Sequence, residues 1–142
     1  MIHKYSLTAF SIMVILMITG GVQAQDNGPA SPGAILALPN TWSSTSFMTT
    51  DRSAYTTTLL MDGRVLVVGG WNADGSIKDA EIYDPDTEFW DYTDSMTTGR
   101  YGHTATRLLD GRVLVVGGWD GSISFNSAEV YDPVSGTWST TV

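Results

Sequence analysis

The ten residues DGRVLVVGGW occupy positions 62–71, and the same ten letters return at positions 110–119, a spacing of 48. Working outward, RSAYTTTLLMDGRVLVVGGWNADGSIKDAEIYDPDTEFW (52–90) aligns without a gap on RYGHTATRLLDGRVLVVGGWDGSISFNSAEVYDPVSGTW (100–138), with 21 identities in 39 positions. The register runs backward as well: WSSTSFMTTDR (42–52) lies over WDYTDSMTTGR (90–100), so Trp42, Trp90 and Trp138 share one place in the period. Self-similarity at a fixed period marks a tandem structural unit and sets the architecture before any other argument.

Each unit reads as four short strands. AYTTTLL (54–60) and GHTATRLL (102–109) are rich in β-branched and apolar residues, which suit a pleated, half-buried surface. Asp62-Gly63 and Asp110-Gly111 follow, and an Asp-Gly pair between strand-like runs is a strong hairpin signal, with both residues able to take φ > 0. RVLVV (64–68) is the second strand, and its unbroken apolar run predicts burial on both faces. Gly69-Gly70 and Gly117-Gly118 end it, where close backbone approach or a positive φ excludes a Cβ. A polar loop of about nine residues leads to AEIYD (80–84) or AEVYD (128–132), whose alternation puts Glu81 and Ile82 on opposite faces. Asp84-Pro85 and Asp132-Pro133 then stop the ladder, because proline has no N–H to donate. The fourth strand lies around Trp90 or Trp138, and nothing after residue 24 shows a helical period.

A four-stranded antiparallel unit of about 45–50 residues in tandem is the signature of a propeller blade. The ordered landmarks are Arg52, Asp62, Gly63, Gly69, Gly70, Tyr83, Asp84, Pro85 and Trp90 in the first copy. In the second they are Arg100, Asp110, Gly111, Gly117, Gly118, Tyr131, Asp132, Pro133 and Trp138. Together they resemble the kelch repeat. The wording LLDGRVLVVGG with AEVYDP and MTTGR is similar to the kelch repeats of secreted bacterial proteins, themselves similar to the central propeller of galactose oxidase. The resemblance covers residues 42–142. It implies an all-β fold of two full kelch blades, about 52–92 and about 100–142, plus one extra outer strand at Trp42, so that the ring is incomplete in one chain. It also implies that the first strand of each blade lines a central channel, opened by Arg52 or Arg100, and that Trp90 and Trp138 sit on outer strands. Tyr55 stands where the second copy has His103, so an interblade hydrogen bond made by that histidine would be missing from the first copy.

The start of the chain has a different character. Lys4 precedes the apolar run AFSIMVILMI (9–18), and Val22 and Ala24 are the small residues of a signal-peptidase site. Residues 1–24 therefore read as a secretory signal, and 25–41 as a linker or partial strand. The run is about ten residues, short of the roughly 20 that span a bilayer, which disfavours an uncleaved anchor. No Cys follows it, so it is no lipoprotein anchor. Beyond Ala24, six basic residues stand against fifteen acidic ones. Such a surface repels phosphate backbones and offers anionic membranes no basic patch, so neither nucleic acid nor membrane is an expected partner of the processed chain. The absence of Cys leaves stability to burial and strand pairing, and leaves no thiol for catalysis or metal binding.

Two blades do not close a ring, which takes roughly 4–8. The preferred account is a piece of a larger propeller; the others are assembly from several copies and an open two-blade sandwich. In each, unpaired blade faces invite self-association.

Few residues stand out for chemistry. The loop WNADGSIKDAE (71–81) partly matches a calcium loop around Gly75, with Asn72, Asp74 and Glu81 at ligand spacing. Gly70 falls at the first ligand position, however, and the second copy places Ser127 at the closing one, so a polar turn is the expectation. Trp71, Trp119, Asn72, Asp74 and Asp120 are the candidate ligand-binding residues, with the two tryptophans able to stack on a sugar ring or to pack on the next blade. His103, the single histidine after the leader, lacks a nucleophile-elbow motif and reads as structural. Arg52, Arg64, Arg100 and Arg112 are expected to pair with carboxylates such as Glu81 and Glu129. The copper chemistry of galactose oxidase, which uses Tyr, His and a Cys cross-link, cannot be assembled from these residues. No cofactor and no metal are expected. The expected function is an exported, non-catalytic scaffold for a protein or carbohydrate surface, with specificity in the loops. The alternative is a piece of a secreted galactose oxidase-like or carbohydrate-active enzyme whose catalytic residues lie outside this chain.

Overall fold

The computed structural model describes residues 44–141. The expected leader, the 25–41 segment and Trp42 lie outside them. The described residues contain no helix, and so none long and apolar enough to cross a membrane. They form two four-stranded antiparallel sheets. The first orders β1 (Thr56–Leu59), β2 (Val65–Val68), β5 (Ala80–Asp84) and β6 (Phe89–Thr93) from one edge to the other. The second orders β7 (Thr104–Arg107), β8 (Val113–Val116), β9 (Ala128–Asp132) and β10 (Thr137–Thr140) in the same way. Register is conserved across the copies: Val67 faces Glu81 as Val115 faces Glu129, and Tyr83 faces Trp90 as Tyr131 faces Trp138. These are two blades in the expected strand order, with Trp90 and Trp138 on the outer strands and the ring not closed.

Three local expectations need correction. The first strand is shorter than residues 54–60, because Ala54 takes a left-handed φ of 52° and Leu60 already enters the turn. The Asp-Gly connection is a three-residue loop in which only the glycine is left-handed, Gly63 at φ 91° and Gly111 at φ 91°. The Gly63 N–H donates to the Leu60 carbonyl and the Leu60 N–H to that of Arg64, the pattern of a tight turn closed by a bulge glycine. The loop after Gly70 is not irregular throughout: β3 (Trp71–Asn72) and β4 (Gly75–Ser76) form a small hairpin in the first copy. In the second copy only a Trp119–Ser124 bridge remains. The extra outer strand expected at Trp42 lies almost wholly outside the described residues; in the segment that follows it, the Trp90 indole N–H donates to the Ser46 carbonyl at 3.1 Å and the Ser46 hydroxyl to that of Glu88.

The core lies between the blades. One face of blade 1 supplies Leu66 and Val68 from β2 and Ala80 and Ile82 from β5; blade 2 answers with Val113, Val115 and Tyr131, flanked by Ala105 and Trp138. Met96, in the connecting segment, fills the gap between them. The expected two-sided burial holds for the whole of β2 but not for β8, where Leu114 is half-buried and Val116 exposed. Close approach explains Gly69: a Cβ there would stand 2.5 Å from the Arg100 carbonyl oxygen and 2.8 Å from His103 Cε1. At Gly117 the nearest atom would be 3.6 Å away.

Candidate binding surface

A buried polar network positions each blade on the segment before it. The Arg52 guanidinium meets Glu81 at 2.7 Å with both side chains fully buried, and also donates to the carbonyls of Gly69 and Asp79. The other lone pairs of Glu81 accept the backbone N–H groups of Thr49 at 2.6 Å and Thr50 at 3.1 Å. The second copy repeats this with Arg100, Glu129, Gly117, Ser127, Thr97 and Thr98. Ion pairs buried this way fix geometry more than they stabilise, since desolvation offsets most of their attraction, yet removing one partner costs about 3–5 kcal/mol. The Arg52 and Arg100 networks explain why the text reads MTT-x-R and A-E at fixed spacing. Arg64 and Arg112 behave otherwise than expected. They pair with Asp62 and Asp110, two residues back on the exposed turn, and the guanidinium beside each carboxyl holds it below the usual carboxylate range. Glu81 and Glu129 are engaged by Arg52 and Arg100 instead.

The landmark aspartates after the third strand have a local task. Asp84 accepts the Asp86 N–H, and Asp132 those of Val134 and Ser135, so each carboxylate closes the turn that Pro85 or Pro133 begins. Tyr83 and Tyr131 pack on Trp90 and Trp138 with ring centroids 5.1 Å apart in both copies. His103 is buried between the blades, its Nε2 2.8 Å from the Thr56 hydroxyl. A hydroxyl beside an imidazole is half of a nucleophile–base pair. Here, though, Nδ1 is buried with no hydrogen-bond partner to orient the ring, and the pair clasps two blades. Burial, aided by the nearby Arg100 charge, pulls the imidazole down from 6.5 to about 4, so it stays neutral at physiological pH. Tyr55 at the counterpart position has no imidazole to offer, and the clasp belongs to the second copy alone.

The exposed groups with recognition chemistry gather at the end of the sheets where β2 and β8 finish. Trp71 and Trp119 are 37% and 43% exposed. Between them lies Tyr101, 5.0 Å from Trp71 edge-on and 5.6 Å from Trp119, making one aromatic row that alternates between blades. Backbone exchange sets the row: Tyr101 and Trp119 trade N–H···O bonds at 3.0 Å, as Ser53 and Trp71 do at 2.8 and 2.9 Å. Trp71 is partly committed to packing, since a Cβ on Gly121 would stand 3.0 Å from its ring; Trp119 is more exposed. Asn72 accepts the Asp74 N–H, and Asp120 accepts those of Ser122 and Ile123, which hold the Asp120 carboxyl below its ordinary range. These side chains cap polar turns beside the row. Glu81, the closing residue of the calcium-like pattern, points instead into the Arg52 network.

Sequence reasoning missed Tyr101 and Phe125. Tyr101 replaces Ser53 and Phe125 replaces Ile77, and the Arg100 guanidinium lies 5.0 Å over the Phe125 ring. The signal was available, because both positions differ between copies in aromatic character. A hollow of about 330 Å³ opens between the blades near their outer strands, walled by Arg64, Asp84, Asp91 and Tyr131, but Arg64 is held by Asp62.

No curated protein matches the chain. Residues 52–97 and 100–141, together more than half of it, each match the Kelch motif, on the same two units that fold as blades. The chain belongs to the kelch-repeat family.

Proposed function

We propose that this chain is an exported, non-catalytic binding scaffold that presents the Trp71–Tyr101–Trp119 row to a protein or carbohydrate surface. Kelch motifs are in general protein-binding propeller scaffolds. The observation that carries the finer reading is the aromatic row itself. Its flanking loops are where the two copies diverge, whereas the repeated strand text is consumed by packing. Aromatic side chains with one face in solvent offer large contact area at little entropic cost, to a protein hot spot or to a sugar ring. Kelch repeats of secreted bacterial proteins remain the nearest reading of the wording, and the leader-like residues 1–24 support export.

Two experiments test this. The full chain and its Trp119→Ala variant are applied to a glycan array and to an array of extracellular proteins. Signals that the full chain gives and the variant loses by tenfold or more are the expected result; equal signals remove the row from the proposal. Export is read separately, by joining residues 1–24 to an alkaline phosphatase that is active only outside the cytoplasm. An inactive fusion refutes that part alone.

A further inference from the structure

The sequence holds four Asp-Gly pairs, at residues 62–63, 74–75, 110–111 and 120–121. Aspartate before glycine is prone to modify itself, because glycine has no Cβ to shield its backbone nitrogen from the neighbouring carboxyl. The fold treats the four pairs differently. We infer that Asp74 is the residue at which this chain isomerises to isoaspartate, while the other three aspartates are held back.

The reaction needs no co-reactant but water. The Gly75 nitrogen gives up its proton and bonds to Asp74 Cγ, and one carboxyl oxygen leaves as water, closing a five-membered succinimide. Water then opens the ring. Opening at Cγ restores aspartate. Opening at the Asp74 backbone carbonyl leaves the chain running through the side-chain carboxyl, with the former backbone carbonyl as a free carboxylate. Composition is unchanged, and the main chain is one carbon longer.

Three of the carboxyls are withheld from this reaction. Asp62 accepts Arg64 Nε at 2.9 Å and the Arg64 backbone N–H at 3.1 Å. Asp110 accepts the same groups of Arg112 at 2.8 and 3.1 Å. Asp120 accepts the amides of Ile123 at 2.8 Å and Ser122 at 2.7 Å. These donors hold all three below the ordinary carboxylate range and so keep them ionised, and a carboxylate is the poorer electrophile. Two of the attacking nitrogens are engaged as well: the Gly63 N–H donates to the Leu60 carbonyl and that of Gly111 to the Leu108 carbonyl.

Asp74 is exposed, and its carboxyl joins no hydrogen bond or ion pair among the described residues; its backbone N–H alone is tied, to Asn72 Oδ1 at 2.9 Å. Gly75 faces Asn72 in a hairpin of only two residues per strand. Two-stranded ribbons are marginal by themselves, and such segments open locally far more often than the whole domain unfolds. Opening frees the Gly75 nitrogen and lets the carboxyl swing onto it. There is room: even a Cβ on Gly75 would meet nothing nearer than the Trp71 ring at 3.9 Å. An added main-chain carbon at this tip disturbs the pairing of Trp71 with Ser76, so the change reaches the aromatic row.

Trypsin separates the four pairs, because cleavage after Lys and Arg places them in peptides 53–64, 65–78, 108–112 and 113–142. The purified full chain is aged for weeks at about pH 5.5, where a small share of carboxyls is protonated. After digestion, methyl transfer by a protein isoaspartyl methyltransferase reads isoaspartate in each peptide. Deamidation of Asn72 or Asn126 gives the same linkage but changes the peptide mass, and is scored apart. Peptide 65–78 is expected to accumulate isoaspartate at least fivefold faster than each of the other three. In a sample aged in guanidinium chloride the four rates are expected to converge. Three results overturn the inference: no isoaspartate in 65–78 of the folded chain, another peptide that matches or leads it, or a lead that persists undiminished in denaturant.

Discussion

Blades 1 and 2 spell their second strand identically, yet Leu66 and Val68 are 0% and 1% exposed while Val116 is 42% exposed. The difference is one of neighbours alone. The strand text is written for a two-sided environment, and of the two copies only the first is buried on both faces. A repeat's sequence thus specifies an interface before it specifies which blade will fill it, which is the nearest-neighbour logic of stacked repeats.

The comparison breaks most visibly at the leucines. Leu66→Ala should destabilise the chain by about 3 kcal/mol, within the range for a fully buried leucine, and Leu114→Ala by roughly 1 kcal/mol. Urea unfolding monitored by tryptophan fluorescence reads both. Equal losses would mean that Leu114 is as enclosed in solution as Leu66.

The second contrast is His103 against Tyr55. Above pH 6.5 the imidazole is neutral in both folded and unfolded chains and contributes no pH dependence. Below it, the unfolded chain takes up a proton that the folded chain refuses until about pH 4. Stability should therefore fall as pH drops from 6.5 to about 4, by roughly 2 kcal/mol after allowing for partial solvation. His103→Tyr, which rewrites the second copy in the spelling of the first, should remove that portion of the slope in thermal melts at pH 7, 5.5 and 4.5. An unchanged slope assigns the acid sensitivity to carboxylates such as Asp62 and Asp110.

The smallest contrast lies in the turns. Glu88 holds φ 61° where the second copy has Gly136 at φ 72°. Left-handed backbone costs a residue with a Cβ about 1 kcal/mol, partly offset by the extra freedom of unfolded glycine. Glu88→Gly should stabilise blade 1 by roughly 0.5 kcal/mol and Gly136→Glu should destabilise blade 2 by a similar amount, both read from denaturation midpoints. A loss at Glu88→Gly would show that the glutamate side chain outweighs the strain.

Most of the architecture was legible because it is written twice. The spacing of identical text located β2, β5, β8 and β9 almost to the residue, and the Asp-Gly and Asp-Pro pairs marked where they turn. What escaped notice depends on geometry that spacing does not encode. Asp62-Gly63 reads as a two-residue turn, but whether Asp62 takes positive φ is decided by the bulge that follows. The β3–β4 hairpin is too short to show an alternating pattern. Arg64 and Arg112 recur with the repeat as faithfully as Arg52 and Arg100 do, so periodicity cannot tell a partner two residues away from one in another strand. The aromatic row was half visible: Trp71 and Trp119 stood out, while Tyr101 lay outside the loop, brought in by a strand bridge.

The carboxylates of Glu81 and Glu129 have a consequence for where such a protein can be divided. Each gathers an arginine 29 positions upstream and two amides 31 and 32 positions upstream, all with the same few oxygens. The smallest piece able to fold with its charges satisfied therefore begins ahead of Met48 or Met96, not at the first strand. Cooperative units are contiguous sets of mutually dependent contacts. A module cut at Ser53 or Tyr101 would keep all four strands of its blade and still bury a carboxylate with nothing to hold it. One cut just after Thr45 or Thr93 would carry its own counter-ion and travel as a complete part.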